Sequence, residues 1–263
     1  MRNFPQLSTG NISQYPLKKR QQVRVIMNKL ADGSTTKQLD LSPMISSWEL
    51  QYESLSDEER TRLEEFFVTC QGRLKTFTLL DPTLNLIKHS EAFDNPVWTI
   101  DAGLNVASGI ESPNGTATGS RFTTSAALPR RIRQVIEAPG TFNYCFSFYA
   151  KAEVTASIHV HRQAGSFTKI DDTRLSPTWK RYWYSGSPQQ EVTTITVGIE
   201  IPIGGQVDLY GMQVIAQPGP GVYQKTNSLS GVYEKVRFAE DRLVFTCNGF
   251  NDSSIKIRLT TTG

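Results

Sequence analysis

Long apolar runs are missing from this chain. No stretch approaches the roughly 18 apolar residues that a membrane helix needs, so no helical membrane anchor is expected. No apolar segment follows Met1-Arg2-Asn3-Phe4-Pro5, so no cleavable secretion signal is expected either. An excess of one charge is also missing. The 28 Lys and Arg against 25 Asp and Glu leave a net charge of +3, without the concentrated basic face of a dedicated nucleic-acid binder. Two basic clusters, Lys18-Lys19-Arg20 with Arg24 and Arg130-Arg131 with Arg133, are short enough to be solvated loop or strand-end charge. Cysteine is confined to Cys70, Cys145 and Cys247, an odd number with no close pair. Each has apolar or aromatic neighbours and is expected as a small buried hydrophobe in a protein that folds in a reducing cytoplasm. There is no Gly-x-Ser-x-Gly, no phosphate loop and no zinc-protease helix. Asn114-Gly115-Thr116 fits a glycosylation acceptor but reads as a turn after Pro113.

What is present is strand texture with one helix. At 263 residues, 38% hydrophobic and 20% charged, the chain suits two folded domains rather than disorder. Residues 1–20, with Pro5, Gly10 and Pro16, read as a polar arm. Val23 to Leu30 reads as a strand, followed by a turn at Asp32-Gly33. Trp48, Leu50 and Tyr52 alternate with Ser47, Glu49, Gln51 and Glu53, the period of a half-buried strand. Ser56 and Glu59 have capping-box spacing, and Asp57, Glu58 and Glu59 place negative charge at the positive end of a helix dipole. Leu63, Phe66, Phe67 and Cys70 share one helical face, so a helix is expected near 57–70, stopping at Gly72. Leu74 to Leu80 reads as a strand that breaks at Asp81-Pro82.

From about residue 84 the texture changes to short strands between turns. Phe142, Tyr144, Phe146, Phe148 and Ala150 alternate with Asn143, Cys145, Ser147, Tyr149 and Lys151. Ile158 and Val160, then Ile195, Val197, Ile199 and Ile201, then Val207 to Ile215, continue the pattern. Such spacing predicts an antiparallel sandwich or jelly roll. After Gly231 three strands are expected: Val232 to Phe238, Arg242 to Thr246 and Ser254 to Thr260. They are too few to stand alone. The fold expected is therefore mainly β. A split small β-barrel or sandwich domain with one helix comes from residues 1–83 and 227–263, interrupted by an inserted antiparallel jelly-roll β-sandwich at 84–226.

Two stretches carry a family likeness. Phe4-Pro5, Tyr15-Pro16, Trp48-Glu49-Leu50-x-Tyr52, Leu55-Ser56-Asp57-Glu58-Glu59, Leu63, Phe66-Phe67, Gly72, Phe77-Thr78 and Asp81-Pro82 form an ordered series. It resembles the N-terminal part of distal-tail-type proteins of phages and gene-transfer agents, akin to the minor tail protein M of lambda-like phages. The strands of 232–260 fit that domain's second half. The insert carries Asn85-Leu86, Ser90-Glu91-Ala92-Phe93, Asn95-Pro96-x-Trp98, Phe148-Tyr149-Ala150-Lys151-Ala152, Trp179-Lys180-Arg181 and Tyr210-Gly211-Met212-Gln213-Val214. These resemble a carbohydrate-binding-module-like jelly roll of phage structural proteins, a fold whose members differ in ligand. The resemblance implies a virion tail-tip protein made in the bacterial cytoplasm. It would form a homo-oligomeric ring, a hexamer, joining the tail tube protein to the baseplate hub protein, with DNA only passing through the lumen. The outward insert would bind host surface polysaccharide with the avidity of several copies. The alternative is a free-standing glycan-binding protein. No catalytic residue, cofactor or membrane anchor is implied.

Candidate binding residues lie in Trp179-Lys180-Arg181-Tyr182-Trp183-Tyr184. On a strand Trp179, Arg181 and Trp183 share one face, and Tyr182 and Tyr184 the other. One face is core and the other offers flat aromatic surface for a sugar, or both are packed. Trp183, Tyr182 and Tyr184 are the candidate glycan ligands. His159-x-His161 puts two imidazoles on one strand face, a spacing seen in metal sites. No third ligand is visible nearby, so a solvent-facing strand edge is expected and no metal is assigned. Asp171-Asp172 reads as a turn before Leu175, with calcium binding as the alternative.

Overall fold

A computed structural model describes residues 2–23, 25–39, 44–154 and 156–261. The chain divides into two compact units. One comprises Met1–Leu7, Ser13–Leu79 and Tyr233–Gly263; the other comprises Ser8–Ile12 and Leu80–Val232. Before the large unit come β1 (Gln14–Gln22), β2 (Val25–Lys29), β3 (Thr35–Leu39), β4 (Ile45–Leu55), α1 (Asp57–Cys70) and β5 (Phe77–Leu80). The large unit holds β6 (Thr99–Ile100), β7 (Leu104–Ile110), β8 (Gly119–Thr124), β9 (Arg130–Ile136) and β10 (Tyr144–Lys151). It continues with β11 (Ser157–Ala164), β12 (Phe167–Arg174), β13 (Lys180–Gly186), β14 (Ile195–Ile201) and β15 (Gln206–Ile215). β16 (Val232–Phe238), β17 (Thr246–Gly249) and β18 (Asp252–Thr261) follow.

In the smaller unit a sheet runs β1-β4-β18-β16-β5, with β17 paired to β18. The central pair joins distant sequence: Ile257 stands opposite Leu50 and Leu259 opposite Trp48, so the alternating apolar residues of both strands enter one core. The expected capping box of α1 is complete. Ser56 Oγ accepts from the Glu59 N–H at 3.2 Å, and Glu59 Oε2 accepts from the Ser56 N–H at 3.0 Å. The helix spans the expected residues, and its C-cap Gln71 takes the left-handed region at φ 54° just before Gly72. Leu74 is exposed in the turn that follows, so β5 is shorter than the expected 74–80 strand. Similarly β17 starts at Thr246, not Arg242, and turns into β18 through Phe250-Asn251.

The polar arm expected for residues 1–20 is not found. Phe4 is 1% exposed and lies 5.7, 5.8 and 6.3 Å from the rings of Phe66, Phe77 and Phe238. Residues 14–22 form the edge strand β1 against β4. An edge strand with both faces partly wet has no apolar alternation to reveal it, and its Lys and Arg residues discourage pairing with further chains. Cys247 also departs from expectation: it is exposed, while Cys70 and Cys145 are buried.

The larger unit is the expected antiparallel β-sandwich. Its two five-stranded sheets run β13-β10-β15-β8-β7 and β12-β11-β14-β9-β6. Phe146, Phe148, Leu209 and Met212 fill the inner face of the first sheet; Ile158, Val160, Val197 and Ile199 fill that of the second. A β-bulge in β15 puts Tyr210 opposite Tyr149 and Gln213 opposite Ser147. Gly211 makes the bulge possible: its φ is +62°, and a Cβ there would sit 3.1 Å from the Tyr223 ring. The unit closes where it opens, since the Asp81 N–H donates to the Gly231 carbonyl at 2.7 Å.

Candidate functional site

β13 is an edge strand paired only with β10, and that register sorts its aromatic run. Tyr184 stands opposite Phe146 and Tyr182 opposite Phe148, both buried, so the two tyrosines face the space between the sheets. Trp183 stands opposite Ser147 on the outer face and is 52% exposed. The three candidate ligands therefore do not share one surface. The Tyr182 ring stacks on Phe148 at 5.9 Å, and its hydroxyl accepts from the Ser176 N–H at 3.1 Å. The Tyr184 hydroxyl bonds to that of Thr173 on β12. Both tyrosines are thus held as walls, with their polar tips occupied.

Beside Tyr184 the mouth of the sandwich opens into a cleft of about 190 Å³. Phe146 and Tyr144 come from β10, Phe167 and Lys169 from β12, Arg162 and Gln163 from β11. Residues 185–188 and 195–197 complete the lining. Arg162 lies on the inner face of β11, two residues beyond buried Val160, because alternate strand residues share a face. Its guanidinium donates to the Ser185 carbonyl at 2.8 Å and to Asp171 Oδ2 at 2.7 Å, with its carbon 5.9 Å from the Tyr184 ring centre. Buried Tyr144 donates its hydroxyl to the Pro139 carbonyl at 2.6 Å, and burial pushes its ionisation well above the ordinary tyrosine value. The cleft joins apolar ring surface to cationic and amide donors, a lining suited to a ligand with one apolar face and several acceptors. Among the described residues lining it there is no Asp or Glu. A larger depression of about 530 Å³ lies along β4, β17 and β18; the one aromatic side chain there, Tyr52, is fully buried.

Arg162, Gln163, Phe167 and Lys169 were not flagged by sequence. Their only local signal is that Arg162 interrupts an inward apolar alternation. The outer face of the first sheet has a different role. Gln213 donates to the Pro220 carbonyl at 2.7 Å and accepts from the Gln224 N–H at 2.7 Å, strapping the 218–224 loop in place. Asn85 accepts from the Ile87 and Val214 N–H groups and donates to the Met212 carbonyl. Tyr149, Tyr210 and Tyr223 cluster there, and burial, with Glu91 nearby, pushes the Tyr210 hydroxyl up to about 12. These residues of the jelly-roll resemblance hold the fold together.

Two further expectations change. Asp171 and Asp172 lie on β12, pointing to opposite faces, so there is no acidic turn to cradle calcium. His159-x-His161 is not on a sheet edge, because β11 runs between β12 and β14; His161 is 4% exposed.

No family model matches the chain, and no curated protein matches its sequence. Solved structures share parts of it. The enzymatically active domain of bacteriophage CBA120 tailspike protein 4 is 15% identical over 52% of this chain and 22% of that one, with a TM-score of 0.43. TmCBM61 in complex with β-1,4-galactotriose is 12% identical over 50% of this chain and 97% of that one, with a TM-score of 0.40. The CBM22-1 xylan-binding domain from Paenibacillus barcinonensis is 14% identical over 52% and 96%, also at 0.40.

Proposed function

We propose that this protein is a virion tail-tip component whose smaller unit assembles into a ring between tail tube and baseplate hub, and whose β-sandwich displays a glycan-binding cleft. The observation that carries the reading is the interruption: β4 and β18 form one continuous ladder although about 200 residues separate them, and a complete sandwich lies between. A body interrupted in this way keeps its own hydrogen bonding while carrying a second domain. That division of labour suits assembly and display better than a single active site. It agrees with the distal-tail-type resemblance carried by Trp48 to Asp81.

In the cleft, a sugar ring would lay its C–H face on Phe167 while Lys169 donates to its oxygens. Native mass spectrometry of the full chain, alone and with its tail partners, tests the ring; six copies are expected, and a protein that stays monomeric in assembled tails would refute it. Retardation on immobilised host polysaccharide tests the cleft. Phe167→Ala with Lys169→Ala is expected to weaken retention about tenfold or more, given roughly 1–3 kcal/mol for each lost contact. Unchanged retention would place any binding elsewhere.

A further inference from the structure

The outer face of the second sheet carries a constellation that the cleft does not use. β11 sends Ile158 and Val160 inward, so His159 and His161 point outward. Register then decides their neighbours. Across β14, His159 faces Glu200 and His161 faces Gly198; across β12, His159 faces Asp172 and His161 faces Ile170. One strand further, Arg131 stands beside Glu200 and Arg133 beside Gly198. Gly198 has no room for a side chain: a Cβ would lie 2.6 Å from the Ile132 carbonyl oxygen and 2.9 Å from the Arg133 Cβ. The position opposite His161 therefore carries no side chain.

Donor atoms of His159, His161 and Glu200 all lie within 4.8 Å of one another. His159 Nδ1 is 2.8 Å from Glu200 Oε1, and His161 Nε2 is 3.4 Å from Glu200 Oε2. Donors bound tetrahedrally to zinc at about 2.0–2.1 Å stand roughly 3.3 Å apart, a value bracketed by the two histidine–carboxylate spacings, which reach different oxygens of Glu200. Neither ring nitrogen of His161 makes a hydrogen bond, although the side chain is buried. The 3.4 Å approach to Glu200 is too poorly aligned to count as one. Leaving such a group unsatisfied is costly, and a ligand would relieve it.

The surrounding groups have the form of an outer coordination shell. Asp172 Oδ1 sits 3.1 Å from His159 Nε2, so once zinc replaces the proton between His159 Nδ1 and Glu200 Oε1, now 2.8 Å apart, Asp172 accepts from Nε2–H and fixes the ring. Arg131 donates to Glu200 Oε2 at 2.6 Å and leaves Oε1 facing the imidazole.

We propose that His159, His161 and Glu200 form a zinc site on the outer face of this sheet, with Asp172 and Arg131 as orienting partners and a fourth position open to water or a ligand atom. Two imidazoles and one carboxylate select a borderline ion of the zinc class over calcium or magnesium.

Isothermal titration of the chelator-treated full-length protein with zinc chloride tests this. One saturable site per chain is expected, undisturbed by excess magnesium, with visible absorption of tetrahedral form when Co²⁺ replaces zinc. Removing a ligand by His159→Ala or Glu200→Gln should weaken zinc by more than the about 10–100-fold expected for the orienting variant Asp172→Asn. His159 and Asp172 are at least half exposed in their side chains or nearly so, and circular dichroism should show those variants folded even if His161→Ala is not. The exposed thiol is the internal control: Cys247→Ser should leave the titration unchanged. The proposal is overturned if the folded wild-type protein takes up no zinc, if His159→Ala and Glu200→Gln bind as tightly as wild type, or if Cys247→Ser abolishes binding.

Discussion

Single residues show where local chemistry was readable and where it depended on partners far along the chain. The three cysteines look alike in sequence, yet Cys70 and Cys145 are buried and Cys247 is exposed on β17. Burial pushes both inner thiols above their ordinary value, so they are poor nucleophiles as well as inaccessible. A thiol reagent added to the folded protein is expected to modify Cys247 alone, and all three only after denaturation; rapid labelling of two or more would contradict the burial. Asp101 gives the acid side of the stability profile. Burial opposes its ionisation, but the Arg133 guanidinium at 2.7 Å and the Arg131 N–H at 3.0 Å outweigh it and lower its value below 3.8. A depressed carboxyl stabilises the fold above its unfolded value and loses that contribution as pH falls through the folded one. Asp101→Asn should therefore cost up to about 1 kcal/mol near neutrality, discounted for the partial exposure of the pair, and the gap to wild type should close as pH falls below the ordinary aspartate range in urea titrations. Glu200 as the partner of His159 could not be read at this scale. The two are 41 positions apart and only the ladder register brings them together.

Secondary elements were legible in proportion to how local their determinants are. α1 is written in four adjacent acidic and hydroxyl residues and an apolar face, and both hydrogen bonds of its capping box are present. Replacing Ser56 by Ala should cost about 1 kcal/mol, measured by chemical denaturation, with Ser56→Thr largely preserving stability. β4 and β18 were equally visible, because one wet face forces alternation. β1, the exact starts of β5 and β17, and the strand position of Asp171-Asp172 were not. Each is an edge, a short strand or a run of polar residues, where side-chain pattern and backbone pairing part company. The cleft residues on β11 and β12 were hidden for a related reason. Periodicity says that Arg162 points inward, but only the pairing of β13 with β10 shows that Tyr184 waits beside it.

At the scale of the molecule, two bodies of different texture were apparent from the change at Asp81-Pro82, whereas the burial of Phe4 was not. Its partners Phe66, Phe77 and Phe238 are spread across the sequence. Phe4→Ala should destabilise the smaller unit by about 3–5 kcal/mol, as for a core aromatic; a change below 1 kcal/mol would mean that this segment is held only weakly. Because β4, β16, β18 and β5 pair among themselves, replacing residues 80–232 with a short glycine-serine linker should leave a folded smaller unit with its α1 and sheet signals by circular dichroism. Collapse of that shortened protein would mean that the cargo supports its carrier. The backbone bond from Asp81 to Gly231 carries a wider consequence. The excursion begins and finishes one strand-spacing apart, so its footprint on the host ladder is independent of what lies beyond. Any module with adjoining termini meets the same geometric requirement, so exchange of one folded module for another at this seam is sterically inexpensive.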